Sequence, residues 1–286
     1  MDQRSSHRVA IVTDSTCDIP AELVEEYGIH IVPQVLIMGE KSWRDRVDID
    51  PPSFYELLQS SSDFPSTSQP SVASFHELFV EIAQETDQIA AILVSDELSG
   101  TVNSAQTAAT SLPDLSIEVI DSRAVSMQLG LIVLEAARAA AAGQDLQAVA
   151  KVTRGLMAKT YVYFLVDTLE YLHRGGRIGA AARLFGSALN LKPVLEVNDG
   201  VVTPLARIRT RRKALRKLYE LVEEKLAGEG RVHMAVLNIA APDEAARVAE
   251  QLEARFQPVE MFNAQCSPVV GAHAGPGTVG VAFYKE

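Results

Sequence analysis

Four short runs of this chain carry side chains suited to binding or transferring an anionic group. In the first, Leu98-Ser99-Gly100-Thr101, two hydroxyls flank a glycine just before a helix-forming stretch. Unpaired N–H groups at a helix start attract anions, and a glycine without Cβ lets a backbone approach closely. The simpler reading is that Ser99 or Thr101 caps the helix. In the second, Thr67-Ser68-Gln69-Pro70, hydroxyls and an amide sit on a backbone that flanking prolines keep extended. A solvated loop would have the same composition. The third, His273-Ala274-Gly275-Pro276-Gly277, places one imidazole among glycines, where an exposed ring in cationic form would offset an acid's charge. A lone histidine is also a common structural residue. The fourth, Thr13-Asp14-Ser15-Thr16-Cys17-Asp18, follows a short apolar strand, where open α/β sheets bind ligands and where ordinary turns also occur.

Two classes of chemistry fit these runs. Hydroxyls and an imidazole could hold a carboxylate, or Ser99 could act as the nucleophile of a phosphoryl or acyl transfer, with the Ser99–Thr101 turn as an alternative phosphate site. The second class needs a base beside Ser99. His273 could serve, but no third residue that would orient it stands out. The chain has no G-x-S-x-G elbow, no Walker lysine, no H-E-x-x-H and no G-x-G-x-x-G after the first strand. Six scattered histidines give no metal-ligand spacing, so neither a metal nor another cofactor is expected. A formal net charge of -11 argues against general affinity for nucleic acid. Cys17 and Cys266 are too isolated for a disulfide framework and read as cytoplasmic thiols. The first ten residues lack the apolar core of a signal peptide, and no apolar run reaches the ~18 residues of a membrane span.

These residues need elements to position them. Ile89 to Val94 is an apolar run of buried-strand length, and residues 102 to 111 should form a helix. Val9 to Val12 and Ile117 to Ile120 are further short strands, and Ile29 to Met38 reads as one longer strand. Helices are expected from Ala21 to Tyr27 with Asp18 as cap, from Phe54 to Ser60 after Pro51-Pro52, from Val72 to Glu85 with Ser71 as cap, from Val125 to Ala142 and from Leu146 to Ala158. The alternation predicts a parallel sheet covered on both faces. At Thr160 the character changes. Tyr161 to Val166 is an aromatic strand, Ala180 to Leu189 should be a small-residue helix, and Asn198-Asp199-Gly200 should turn a hairpin. A long amphipathic helix ending near Gly228, a strand from Val232 to Ile239, a helix from Pro242 to Phe256 and a glycine loop at residues 271 to 277 precede the last strand. The fold class is therefore α/β. A three-layer α/β/α, Rossmann-like domain spans residues 1–160, and an α+β two-layer domain spans residues 161–286.

Taken in order, VTDSTCDIP, STSQPS, LSGTVNSA, LEYLHRGGRIG, KPVLEVNDGVVTPLARIRTRRKAL and HAGPGTVGVAF resemble the motifs of the DegV family of bacterial fatty-acid-binding proteins. The resemblance spans nearly the whole chain. It implies one long-chain fatty acid in a tunnel between two domains, its carboxylate held by Thr67, Ser68, Ser99, Gly100 and His273. It also implies a carrier without chemistry of its own. Such a carrier presents the acid to a separate fatty acid kinase catalytic subunit, which makes acyl-phosphate for phospholipid synthesis. By position, Arg177 and Arg209 resemble the arginines that face this partner, within a basic cluster that also includes Arg174, Arg207, Arg211 and Arg212. Gly179 stands where serine is commoner in the family and Val102 where an aromatic is common, so either could reshape the tunnel or the partner face. Asp96 and Glu97 adjoin the expected anion site and would oppose a carboxylate unless they point to solvent.

Overall fold

A computed structural model of the chain describes residues 9–61, 63–186 and 191–286. In the first half, β1 (Ala10–Asp14) passes through a 3-10 turn into α1 (Ala21–Tyr27) and β2 (His30–Val32). There follow β3 (Val35–Met38), β4 (Lys41–Arg44), α2 (Pro51–Ser60) and β5 (Ser66–Ser68). Next come α3 (Val72–Ile82), β6 (Gln88–Leu93), α4 (Thr101–Thr110), β7 (Ser116–Asp121), α5 (Met127–Ala141) and α6 (Leu146–Met157). The second half begins with β8 (Tyr161–Leu165), α7 (Glu170–Arg174), a 3-10 turn at Gly179–Leu184, β9 (Val194–Asn198) and β10 (Val201–Ala206). It ends with α8 (Arg211–Lys225), β11 (Val232–Ile239), α9 (Pro242–Phe256), β12 (Glu260–Gln265), α10 (Pro268–Ala274) and β13 (Thr278–Lys285).

The first sheet, β2-β1-β6-β7, is parallel throughout. Strand side chains alternate between faces, and β6 shows why this one is apolar along its length. Ala90, Ile92 and Val94 pack on Leu129 and Ile132 of α5 and Val149 of α6. Ile89, Ala91 and Leu93 pack on Phe75 and Phe79 of α3 and Ala105 of α4. The result is the expected α/β/α sandwich. The second sheet, β10-β9-β8-β13-β11-β12, is antiparallel except between β11 and β12. On one face Leu165, Val236 and Phe283 meet Leu218 of α8 and Leu252 of α9. On the other, Phe164, Val197 and Leu237 join a core with Leu36, Phe54 and Leu131 from the first half. The two halves thus share a hydrophobic core, and the face of the second sheet without its own helices is closed by the first half. The β9–β10 hairpin turns through Asp199 and Gly200 at φ 47° and 80°, the positive-φ pair that a two-residue turn demands.

Several elements differ from the sequence reading. The single strand expected over Ile29–Met38 breaks at Pro33-Gln34. Its first part joins the parallel sheet, and its second part pairs with β4 and β5 in a separate three-stranded sheet. Proline lacks the N–H needed to continue a ladder. Residues 66–68, whose composition also suited a solvated loop, and residues 41–44 are the edges of that small sheet. The extended backbone that the prolines impose on residues 66–68 is also strand geometry. Asp18 does not cap α1. It takes φ 55° and turns its carboxylate into the interior, and Pro20 starts the helix instead. The small-residue helix expected to reach Leu189 is a 3-10 turn ending at Leu184, and residues 187–190 lie outside those described, as do the first eight. His273 sits in the last turn of α10, not in a glycine loop, because Ser267 caps and Pro268 opens a helix upstream of the HAGPG run. No helix among the described residues is long and apolar enough to cross a membrane.

Candidate functional site

An interior cavity of about 210 Å³ lies where the carboxyl ends of β1 and β6 meet the inner face of the second sheet and α10. Most of its wall is apolar, with Val94 and Leu98 from the first half and Val162, Phe164, Leu237 and Val269 from the second. Polar side chains gather in Thr67, Ser68, Gln69, Ser99, Arg177 and His273, with Thr16 and Gln34 beside them. The fold therefore brings residues 206 positions apart to one place, with Thr67 Oγ1 and His273 Nε2 2.7 Å from each other. Ser99 lines the same cavity and shares a 2.8 Å hydrogen bond with Thr101. Neither hydroxyl of the SGT run caps α4, so the simpler cap reading does not hold. Gly100 is the α4 cap residue and lies outside the cavity lining. A Cβ there would meet the Gln69 carboxamide at 2.4–2.6 Å, so its bareness makes room for Gln69.

The electrostatics differ from those expected. Burial, with the Arg177 charge adding to it, pushes the His273 imidazole down to about 4, so the ring is neutral near pH 7. Its Nδ1 has no hydrogen-bond partner and rests against Gly175, where a Cβ would stand 2.3 Å away. Arg177 points inward. Its Nε donates to the Leu98 carbonyl at 3.0 Å and its Nη1 to the Gly175 carbonyl at 2.7 Å, which fixes the guanidinium at the cavity wall. Among the described lining residues it is the one formally charged side chain other than histidine, and no carboxylate lines the space. Asp96 and Glu97 do not oppose an anion there. Both are exposed and face Arg123, at 3.4 and 3.3 Å.

The rest of the basic cluster divides by partner. Arg211 is bonded to Glu244, Asp167 and the Gly277 carbonyl. Arg174 lies 3.8 Å from the Phe64 ring centroid and bonds Glu170. Arg209 is exposed at the start of α8. Val102 is buried on the α3–α4 side of the parallel sheet, away from the cavity. Gly179, at φ 51°, packs on β10 with the Val202 carbonyl 2.6 Å from where a Cβ would stand, so a serine would need the backbone to move.

Beneath the polar end lies a buried network that the sequence reading missed. Asp14 Oδ1 accepts from the Thr16 N–H, the Thr16 hydroxyl and Gln34 Nε2, and Oδ2 accepts from the Val94 N–H. Burial raises the Asp14 carboxyl above the usual range, and these donors pull it back. Asp18 receives Arg46 at 3.0 Å, the Ser126 hydroxyl at 2.6 Å and the Ser267 N–H at 2.8 Å. Asp45, which accepts from Ser15 at 2.6 Å, is pushed up to about 7 by burial. One signal was available for Gln34, an amide inside the apolar run from Ile29 to Met38. Among the described residues one group, Glu135, His233 and Glu260, brings metal-type ligand atoms together. Arg138 already bonds both of its carboxylates.

A family model described as an uncharacterised protein of the DegV family matches residues 8–286. Protein DegV of Bacillus subtilis is 33% identical, over 96% of this chain and 98% of its own length. A DegV domain-containing protein of Clostridium perfringens is 37% identical, over 97% and 99%. Among solved structures, one described as showing fatty acid binding by a DegV family protein of Thermus thermophilus superposes with a TM-score of 0.93 at 34% identity, covering 98% of this chain and all of that one. The Bacillus subtilis structure, described as DegV, a fatty acid binding protein, superposes with a TM-score of 0.92 at 32% identity, with the same coverage.

Proposed function

The chain belongs to the DegV family, and from that premise we propose that it binds one long-chain fatty acid in the cavity between its two halves, head group at Thr67, Ser99 and His273. One observation carries the reading. An apolar cavity ends in hydroxyls and a fixed guanidinium, with no carboxylate among its described lining residues. That combination suits an anion attached to a hydrocarbon. Each methylene buried contributes about 0.8 kcal/mol, so a dozen would supply on the order of 10 kcal/mol. A charge-assisted hydrogen bond adds ~1.5–3 kcal/mol. The tail dominates affinity and the polar end sets direction. Arg177, given to a partner face by the family pattern, belongs on this reading to the head-group site as its cation. The fatty-acid-binding descriptions of the Thermus thermophilus and Bacillus subtilis structures support the ligand class.

The protein acts as a carrier, presenting the carboxylate to a separate fatty acid kinase for acyl-phosphate formation in phospholipid synthesis. This rests on the family resemblance, with exposed Arg209 as a docking residue. The carrier reading is favoured over a transferase by the pairing of side chains. Ser99 bonds Thr101 and His273 bonds Thr67, so the described residues offer no base in contact with Ser99. Native mass spectrometry of the purified protein, with lipid extraction and exchange of labelled fatty acid, tests the ligand. One bound fatty acid per chain is expected, and water-soluble ligands with no exchange would refute the reading. With the kinase supplied, Arg209→Glu should slow acyl-phosphate formation while fatty acid binding is retained. An acyl-ester or ATP turnover by the protein alone, lost in Ser99→Ala, would establish the transferase instead.

A further inference from the structure

The direction of the Ser99 hydroxyl is set by Thr101, which lies outside the cavity lining, and by Gln34, which shares the cavity wall. Gln34 Nε2 lies 3.2 Å from Asp14 Oδ1 and 2.9 Å from Thr101 Oγ1. Asp14 Oδ1 is already surrounded by donors, the Thr16 N–H and hydroxyl. The nitrogen of the Gln34 amide is therefore the end that faces it, and the second amide hydrogen is left for Thr101. Gln34 is held in register by its own backbone N–H, which donates to Ser15 Oγ at 3.1 Å. Thr101 is fully buried, and its hydroxyl oxygen receives the Gln34 hydrogen. A buried hydroxyl proton needs an acceptor. The neighbour in reach is Ser99 Oγ at 2.8 Å. Ser99 then accepts from Thr101, and its own proton is left to point into the cavity it lines.

We propose that Gln34 and Thr101 are positioning residues that lock Ser99 as a hydrogen-bond donor toward the cavity, making the site selective for a group that only accepts, an ionised carboxylate. Asp14 anchors the relay by fixing the amide of Gln34. This rests on the fatty-acid-binding reading above and adds to it the source of head-group selectivity. A fatty alcohol of the same chain length can both donate to Ser99 and accept from it, so it is indifferent to the direction of that hydroxyl. A carboxylate is not.

The test compares a saturated long-chain fatty acid with the alcohol of equal length, titrated into wild type, Gln34→Met, Thr101→Ser and Thr101→Val. In Gln34→Met a thioether, a weak acceptor, replaces the donor that faces Thr101, so the Thr101 proton can turn toward it and the Thr101 oxygen can accept from Ser99, which reverses the relay. Acid affinity should fall about tenfold, the equivalent of one hydrogen bond, while alcohol affinity stays within about twofold. Thr101→Ser keeps the relay and should match wild type. Thr101→Val unlocks Ser99 without reversing it and should lower acid affinity by less. NMR of fatty acid labelled at the carboxyl carbon gives a second readout. Donors hold a bound carboxyl ionised to lower pH, so its titration should move upward in Gln34→Met. If Gln34→Met does not fold, Thr101→Val carries the same comparison. A wild type that binds neither ligand refutes the fatty-acid reading. A wild type that binds the acid, with an acid-to-alcohol ratio and carboxyl titration unchanged in the variants, refutes the relay.

Discussion

Replacing Gly175 with alanine should disturb the site through one atom. Gly175 is the first glycine of the GGRI run and lies at φ -74°, ψ -8°, a conformation that alanine adopts without strain. What an added Cβ meets is His273, with Nδ1 2.3 Å away and Cε1 3.1 Å away. Ordinary contact begins near 3.4 Å, so the ring must give way by about 1.1 Å. It cannot slide straight back, because Nε2 on its far side is already 2.7 Å from Thr67 Oγ1. The ring has to swing off its position and lose that bond. A displaced rotamer costs ~0.5–1.5 kcal/mol and the hydrogen bond a similar amount. Reduced freedom of the unfolded chain returns ~0.4–1 kcal/mol. The net expectation is a loss of about 1–2 kcal/mol in stability, with fatty acid affinity lowered to that of His273→Ala. Urea denaturation of Gly175→Ala, His273→Ala and the double variant isolates the contact. Once the imidazole is gone, the Gly175→Ala change should cost less, leaving only what the Tyr171 carbonyl contact demands. The Tyr171 carbonyl, 2.9 Å from the same Cβ, is common to both backgrounds and cancels in the cycle. An equal cost for Gly175→Ala with and without the ring would refute the reasoning.

Two further expectations concern charge. Arg46→Met should destabilise the protein by ~3–5 kcal/mol, because it leaves the fully buried Asp18 carboxylate without its cation; Arg46→Met with Asp18→Asn should recover much of the loss in the same denaturation assay. The neutral ring of His273 gives a pH signature in the ligand-free protein. Between its ordinary value of 6.5 and its folded value of about 4, the unfolded chain takes up a proton that the folded ring refuses. Stability contributed by the neutral ring is therefore complete above 6.5 and falls as pH drops toward 4. The difference in urea midpoint between wild type and His273→Asn should shrink over that window, and parallel profiles would count against a buried neutral imidazole. A bound carboxylate beside the ring would favour its protonated form and narrow the effect.

Local chemistry in the sequence determined much of this molecule. The apolar run from Ile89 to Val94 had the length and branched content of a buried strand, and its alternate residues do divide between two helical layers. Asn198-Asp199-Gly200 specified a tight hairpin because few other residues accept two successive positive φ angles. Ser71 capping α3 and proline opening α2 were legible for the same reason, since each is decided within a few residues of chain. The hydroxyls of Thr67 and Ser99 and the imidazole of His273 could be picked out by type, and the order of their motifs suggested one ligand.

What the sequence left undecided depends on distances between segments far apart in the chain. Pro33 breaks the long apolar strand, yet only the packing of two sheets decides that Gln34 beside it faces Asp14 and Thr101. Arg177 lay among other basic residues and, by its place in the family pattern, was expected with Arg209 to face a partner. It turns inward because the Leu98 and Gly175 carbonyls are its acceptors there. His273 read as an exposed ring that would offset an acid's charge if cationic, and it is neutral because a helix begun at Pro268 carries it into the interior beside that arginine. Residue type fixes what a side chain can do. Its charge state and its partner follow from desolvation and contact, which only the folded chain supplies.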